Sequence, residues 1–309
     1  MSASGGSKAI FAALGANLGI AVIKFVAFGI TGSSSMLAEG VHSVVDSGNQ
    51  GLLLRGARSA RRRATPQHPF GFGRDRYVYG FLVSLLLFSA GGLFALYEGV
   101  QKIRHPHHLD SALVAVVVLV VAIGLESFSL RTAVHESREL KGDDSWFGFV
   151  RHAKNPELPV VLLEDVAALT GLAFALIGVA LATLTGQPVW DGIGTCAIGA
   201  LLITVALVLV VETKSLLVGE SASAADLTRI EAGLVGDGET SGVERVIHLR
   251  TMHLGPDELL VGAKLAMPPG ASLAQVASAI DAAEARVRAA VPAARVIYLE
   301  PDLDRERSR

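Results

Sequence analysis

The chain has 309 residues, 51% of them hydrophobic and 18% charged, with a mean hydropathy of +0.48. That balance excludes an ordinary water-soluble domain and fits a membrane protein with a polar appendage. The net charge of -2 says little about partners, because the charges are unevenly placed; no nucleic acid is expected among them. The single cysteine, Cys196, excludes an internal disulfide.

Windows of about 20 apolar residues mark spanning helices. In chain order they lie near Ile10–Ile30, Phe81–Val100, Ala112–Leu130, Val160–Leu184 and Ile193–Val211. A weaker sixth window, Ser35–Leu54, falls second in order, and with it both termini lie on one side of the membrane. Charge placement favours six. The segment "RGARSARRRA" (Arg55–Ala64) and the stretch Arg131–Lys154 are basic, whereas "TGSS" and "TGQP" carry no basic residue. Basic loops stay in the cytoplasm, so both termini are expected there, in a multi-pass protein of a bacterial plasma membrane.

After Val211 the composition turns polar-amphipathic. Two β-type runs, Val243–His253 and Leu259–Ala266, read as a hairpin about "GPDE". An Ala-rich amphipathic helix follows, with Ser272 as its N-cap, and then a last strand, Ala294–Leu299. The expected fold is therefore a polytopic α-helical membrane domain of six helices over residues 1–215. A small cytoplasmic two-layer α+β domain of order αββαβ follows over residues 216–309.

The weak window holds "AEGVHSVVDSGNQ" (Ala38–Gln50). On a helix, Glu39, His42, Asp46 and Asn49 fall within about 80° of arc and share one face. Ionisable groups at membrane depth are costly, so they face the bundle interior or a watery cavity. One helix cannot enclose a cation. A partner stands in "LPVVLLEDVAALTG", where Glu164 and Asp165 lie one turn inside the fifth segment, about 100° apart. His42, Asp46 and Asp165 supply one imidazole and two carboxylates. That donor set suits zinc and also manganese, iron(II), cobalt or nickel. An interhelical hydrogen-bond network is the structural alternative.

These motifs, with "HPFGFGRDRYVYGFLVSLLLF" between them, resemble the cation diffusion facilitator family of divalent metal–proton antiporters, in the branch that includes mitochondrial-type zinc transporters. The resemblance covers about Lys8 to Pro301. It implies a ferredoxin-like tail, a homodimer, and Zn2+ as transported substrate with no organic cofactor. It also implies a site of two ligands four apart on each of two helices. His42 and Asp46 match the first pair and Asp165 matches the second member of the other. The remaining position is Val161, which cannot bind metal, so Glu164, Asn49 or a water must complete the shell, with Glu164 preferred. His68 matches one ligand of a loop site whose other positions read Thr65 and Phe72. The resemblance also implies a binuclear metal site in the tail, which reads as eroded here, with His248 and His253 in the hairpin.

Metal binding requires ionised carboxylates and a neutral histidine, and His42 can change charge over the relevant pH range. Alternating access with proton-driven release is therefore the expected mechanism. Lys24 is expected to snorkel outward, and Asp191 to start the sixth helix. Glu126 is expected either in the proton path or at an interhelical contact. The glycine pairs Gly15/Gly19 and Gly171/Gly178 are expected to pack helices closely. "RHPHHL" (Arg104–Leu109) reads as a solvated loop. No P-loop, nucleophile elbow or "HExxH" is present, so the chain is not read as an enzyme. Alternatives to metal flux are organic-cation transport and a metal-sensing membrane scaffold.

Overall fold

A computed structural model describes residues 7–31, 34–106, 112–237 and 241–303. They divide into two compact units. One holds the chain up to Arg61 with Asp75–Lys214; the other holds Arg62–Arg74 with the chain from Ser215 onward. The loop Arg62–Arg74, grouped with the membrane domain on sequence grounds, therefore clusters with the tail.

The first unit is built of long helices: α1 (Ser7–Thr31), α2 (Ser34–Ser59), α3 (Asp75–Leu86), α4 (Phe94–Arg104), α5 (Ala112–Lys141), the short α6 (Trp146–His152), α7 (Glu157–Thr185) and α8 (Val189–Val218). A π-helical stretch, Leu87–Leu93, joins α3 to α4 into one span. Five segments are long and apolar enough to cross a membrane: α1, the α3–α4 span, α5, α7 and α8. The 26-residue α2 falls within their range of 24 to 30 residues, but its polar stripe dilutes its apolar content. A helix of 26 residues reaches about 39 Å, more than a bilayer core of about 30 Å.

Local sequence sets the ends. Asn155 Oδ1 accepts the Glu157 N–H at 3.0 Å where α7 begins, and Gly186 ends that helix at φ 66°. Ser145 accepts the Gly148 N–H and caps α6, a helix that has no long apolar signature in the sequence. Within the bundle, α2 packs along α1 and α3, and α5 lies between α1 and α7. The apolar core of Leu53, Val83, Leu158, Val160 and Val161 is at most 1% exposed. Large apolar side chains such as Val22, Leu113, Ile177 and Leu184 face outward, which a water-soluble surface does not tolerate in such number.

Of the expected glycine pairs, Gly178 does pack closely, a Cβ there standing 3.0 Å from Trp190 O on α8, but the tightest helix approach lies elsewhere. Nothing stands within 4 Å of where a Gly15 Cβ would be. Instead, a Cβ on Gly92 would meet Ile203 at 2.5 Å, and one on Gly99 would meet Cys196 Sγ at 2.6 Å. From the other side, Gly192 faces Ile103 at 2.7 Å and Gly199 faces Leu96 at 2.7 Å. The α3–α4 span and α8 therefore touch backbone to backbone, and Cys196 is a small packed residue in that seam.

The second unit runs α9 (Ala224–Val235), β1 (Arg245–Gly255), β2 (Glu258–Ala266), α10 (Leu273–Ala290) and β3 (Ala294–Asp302). The sheet order is β1-β2-β3, with β1–β2 antiparallel and β2–β3 parallel. The hairpin pairs Gly255 with Glu258 around Pro256 and Asp257. A parallel pair needs a crossover connection, which α10 provides. Ser272 and Gln275 form a capping box at its start. The two helices pack together, and Ile230, Leu234, Val261, Leu265 and Val287 fill the core. The loop Arg62–Arg74 is held here because Gly73 lacks a side chain: a Cβ would stand 2.7 Å from Leu254 O.

Candidate functional site

Inside the first unit lies a cavity of about 200 Å³. The α2 stripe faces it through Glu39, His42 and Asp46, and α7 brings Glu164 and Asp165 to it. The two motifs, more than a hundred residues apart in sequence, therefore converge. They do so because α5 bridges α1 and α7 while α2 lies along α1.

The polar partners are specific. His42 Nε2 lies 3.7 Å from Asp46 Oδ2, one helical turn away. Asp165 Oδ2 accepts a hydrogen bond from Ser129 Oγ on α5 at 2.8 Å. Glu164 accepts at both oxygens, from Asn49 Nδ2 at 3.3 Å and from Gln50 Nε2 at 2.8 Å. The amide oxygens of Asn49 and Gln50 are left buried with no hydrogen-bond partner, a cost of about 1–3 kcal/mol each. Among the described residues, no three His, Cys, Asp or Glu side chains are arranged to hold a metal ion.

Two lysines enter the same space. Lys24 does not snorkel, contrary to expectation. It is 9% exposed, pairs with Glu39 at 3.4 Å and donates to Ser43 Oγ at 3.2 Å. The physical reason is that α2 packs along α1 and sets carboxylate and hydroxyl acceptors within reach of the ammonium. Lys102 on α4 pairs with Asp191 at 3.0 Å and Glu98 at 3.5 Å, and donates to Thr195 at 3.3 Å. Asp191 thus binds a lysine as well as standing in the first turn of α8. Glu126 on α5 lines the cavity at 5% exposure.

The cavity occupies one half of the bundle. Its lining extends no further than Asp46 along α2, Glu126 along α5 and Leu202 along α8. It reaches the partly exposed Lys102 and Asp191, each at least 20% exposed in the side chain. The other half holds the apolar core and a bidentate pair in which Arg76 Nε and Nη2 donate to Glu157 at 2.6 and 2.5 Å.

His68 lies outside this site, in the second unit, exposed and stacked near Phe72 at 4.7 Å between ring centroids. His248 is exposed on β1, whereas His253 is buried beside Gly255 O, so the strand does not bring them to one point. Of the histidines in "RHPHHL", His107 and His108 lie outside the described residues. Gln50, Ser129, Glu98 and Lys102 were not singled out from sequence. Gln50 could have been found as a second amide beside Asn49, and Ser129 as the residue one turn beyond Glu126.

Residues 10–218 match the cation efflux transmembrane domain family. The human proton-coupled zinc antiporter SLC30A9, a mitochondrial protein, is 33% identical over 226 residues, covering 72% of this chain and 40% of its own length. Metal tolerance protein C4 of Arabidopsis thaliana is 28% identical over 81% of this chain and 54% of its own. The cation-efflux pump FieF of Klebsiella pneumoniae is 32% identical over 38% of this chain and 39% of its own. The chain thus belongs to the cation efflux family, the cation diffusion facilitators, whose members are transporters and not enzymes. It spans 40% of the length of the SLC30A9 relatives it matches.

Proposed function

We propose that this protein carries divalent metal cations, zinc first, out of the cytoplasm in exchange for protons, through a site built on His42, Asp46 and Asp165. The observation that carries this reading is the convergence of α2 and α7 acidic and imidazole groups on one intramembrane cavity. The names of the zinc antiporter and efflux-pump relatives agree with it. In this reading α2 is a sixth span, both termini are cytoplasmic, the tail is ferredoxin-like and pairs two copies, and the membrane is a bacterial plasma membrane.

The mechanism follows from the two halves of the bundle. With the basic segments Arg55–Arg63 and Arg131–Lys154 inside, the cavity opens toward the outer face and the Arg76–Glu157 end is the closed cytoplasmic gate. The described state is then outward-facing. Protons entering from outside compete with the cation for His42 and the carboxylates, and the ion leaves. Ligation requires Asp165 and His42 to turn from their present partners toward the cavity centre. Glu164, held by two amides, stands beside the site. Manganese, iron(II), cobalt and nickel fit the same donors.

The test is zinc flux into proteoliposomes with and without an imposed pH gradient. Wild type is expected to move zinc faster with the gradient, and Asp46→Ala to lose at least about 100-fold of the rate. Retained flux in Asp46→Ala removes this site; metal binding without flux in wild type favours the sensing scaffold instead.

A further inference from the structure

The cavity carries more carboxylates than lysines, and the pairing is readable. Glu39 is taken by Lys24, and Glu98 and Asp191 by Lys102. Glu164 is taken by the amides of Asn49 and Gln50. Three carboxylates that line the cavity remain without a lysine or arginine: Asp46, Asp165 and Glu126. Among the described residues the cationic partner of Asp46 is His42 alone, and Asp165 has one oxygen on Ser129. Glu126 is 5% exposed, and none of the hydrogen bonds or ion pairs among the described residues involves it. A carboxylate so deeply buried without a partner is expensive. Its charge is felt by, and feels, Asp165, Asp46 and Lys24. Its neighbour on the same helix face, Ser129, lies one turn on and touches Asp165.

We propose that Glu126 is a ligand of the transported cation, making α5 the third wall of the site and giving a shell of one imidazole, from His42, and three carboxylates, from Asp46, Glu126 and Asp165. This deepens the transport reading above and rests on it. The shell supplies four donors of the type that zinc takes in tetrahedral sites. It also explains how the site works with Val161, apolar and fully buried, at the matching turn of α7. A divalent ion offsets two of the three negative charges, whereas both lysines are ion-paired to other carboxylates. Glu164 is then a fixed neighbour that sets the floor of the cavity through α2.

The experiment uses the full chain in nanodiscs, with zinc alone as probe, and measures the zinc dissociation constant and the zinc-induced rise in Tm. Glu126→Gln keeps the size and loses the charge. It is expected to weaken zinc binding at least about tenfold and to abolish most of the zinc-induced rise in Tm. Glu164→Gln is expected to weaken it less than Glu126→Gln does. His42→Ala and Asp46→Ala serve as references. If these two lose zinc binding while Glu126→Gln binds within twofold of wild type, the inference on Glu126 fails and the transport site stands. If all three bind as wild type does, the transport site itself fails. Should Glu126→Gln not fold, Glu126→Asp, which keeps the charge one methylene shorter, is read instead. It is expected to retain binding with an altered order of zinc, manganese and cobalt affinities, and an unaltered order overturns the proposal.

Discussion

The two units place a cation against carboxylates in opposite ways. In the bundle, Arg76 and Glu157 are 9% and 2% exposed and meet through two hydrogen bonds between α3 and α7. In the tail, Lys264 meets Glu300 at 3.0 Å and Asp302 at 2.9 Å across β2 and β3, with 24% of its side chain exposed. The tail buries apolar groups and leaves charge at its surface; among its described residues His253 is the buried polar side chain. The bundle buries Lys24, Arg76, Glu126, Glu157, Glu164 and Asp165. A soluble domain can fold by sorting polar from apolar. A bundle that buries ionisable side chains in its interior cannot, and must match those charges to one another or to a bound ion.

The sharpest break of this comparison is Arg76→Ala. It strands the Glu157 carboxylate, and losing one partner of a buried pair costs about 3–5 kcal/mol. Equilibrium unfolding in mixed micelles is expected to show that loss. Replacing both residues, Arg76→Met with Glu157→Met, is expected to recover most of it, because the desolvation cost goes with the charges. A double variant as unstable as the single one would mean that the pair itself, and not its matching, holds α3 to α7.

The middle of the scale is local. Ser272→Ala removes the capping box of α10, in which Gln275 N–H donates to Ser272 Oγ and Ser272 N–H to Gln275 Oε1 at 2.9 Å. About 1 kcal/mol is expected, visible as faster amide exchange in α10 and the adjoining strands with α1–α8 unchanged. That cap was legible in the sequence, as were the five apolar windows and the shared face of Glu39, His42 and Asp46. Each rests on spacing within one helix or on composition. What was not legible depends on which element lies opposite. The sequence offered no sign that Lys24 would find Glu39, that Gln50 would reach Glu164, or that Ser129 would hold Asp165. The tightest glycine seam was missed for the same reason. Small residues recur on α1 and α7, and Gly178 does meet the α8 backbone, but the seam of Gly92, Gly99, Gly192 and Gly199 depends on two elements whose facing glycines no single helix reveals. The loop Arg62–Arg74 follows a spanning helix in sequence, yet the missing side chain of Gly73 seats it against β1.

The smallest effect is expected at Lys264, and its pH dependence sets it apart from Arg76. The hydrogen bonds that Lys264 donates, first to Asp302 and then to Glu300, hold its ammonium above the ordinary lysine value. A group whose folded pKa is raised stabilises the fold fully below its unfolded value, about 10.4 for lysine, and loses that contribution as pH rises through the folded value. Exposure keeps the contribution small, because water screens the pair. The Tm gap between wild type and Lys264→Met is therefore expected to be slight, constant from neutral pH to about pH 10, and to close above it. The guanidinium of Arg76 stays charged throughout that range, so the Arg76→Ala gap is expected to persist where the Lys264→Met gap closes. A Lys264→Met gap that widened with alkali would contradict the assignment of these hydrogen bonds as the source of the raised value.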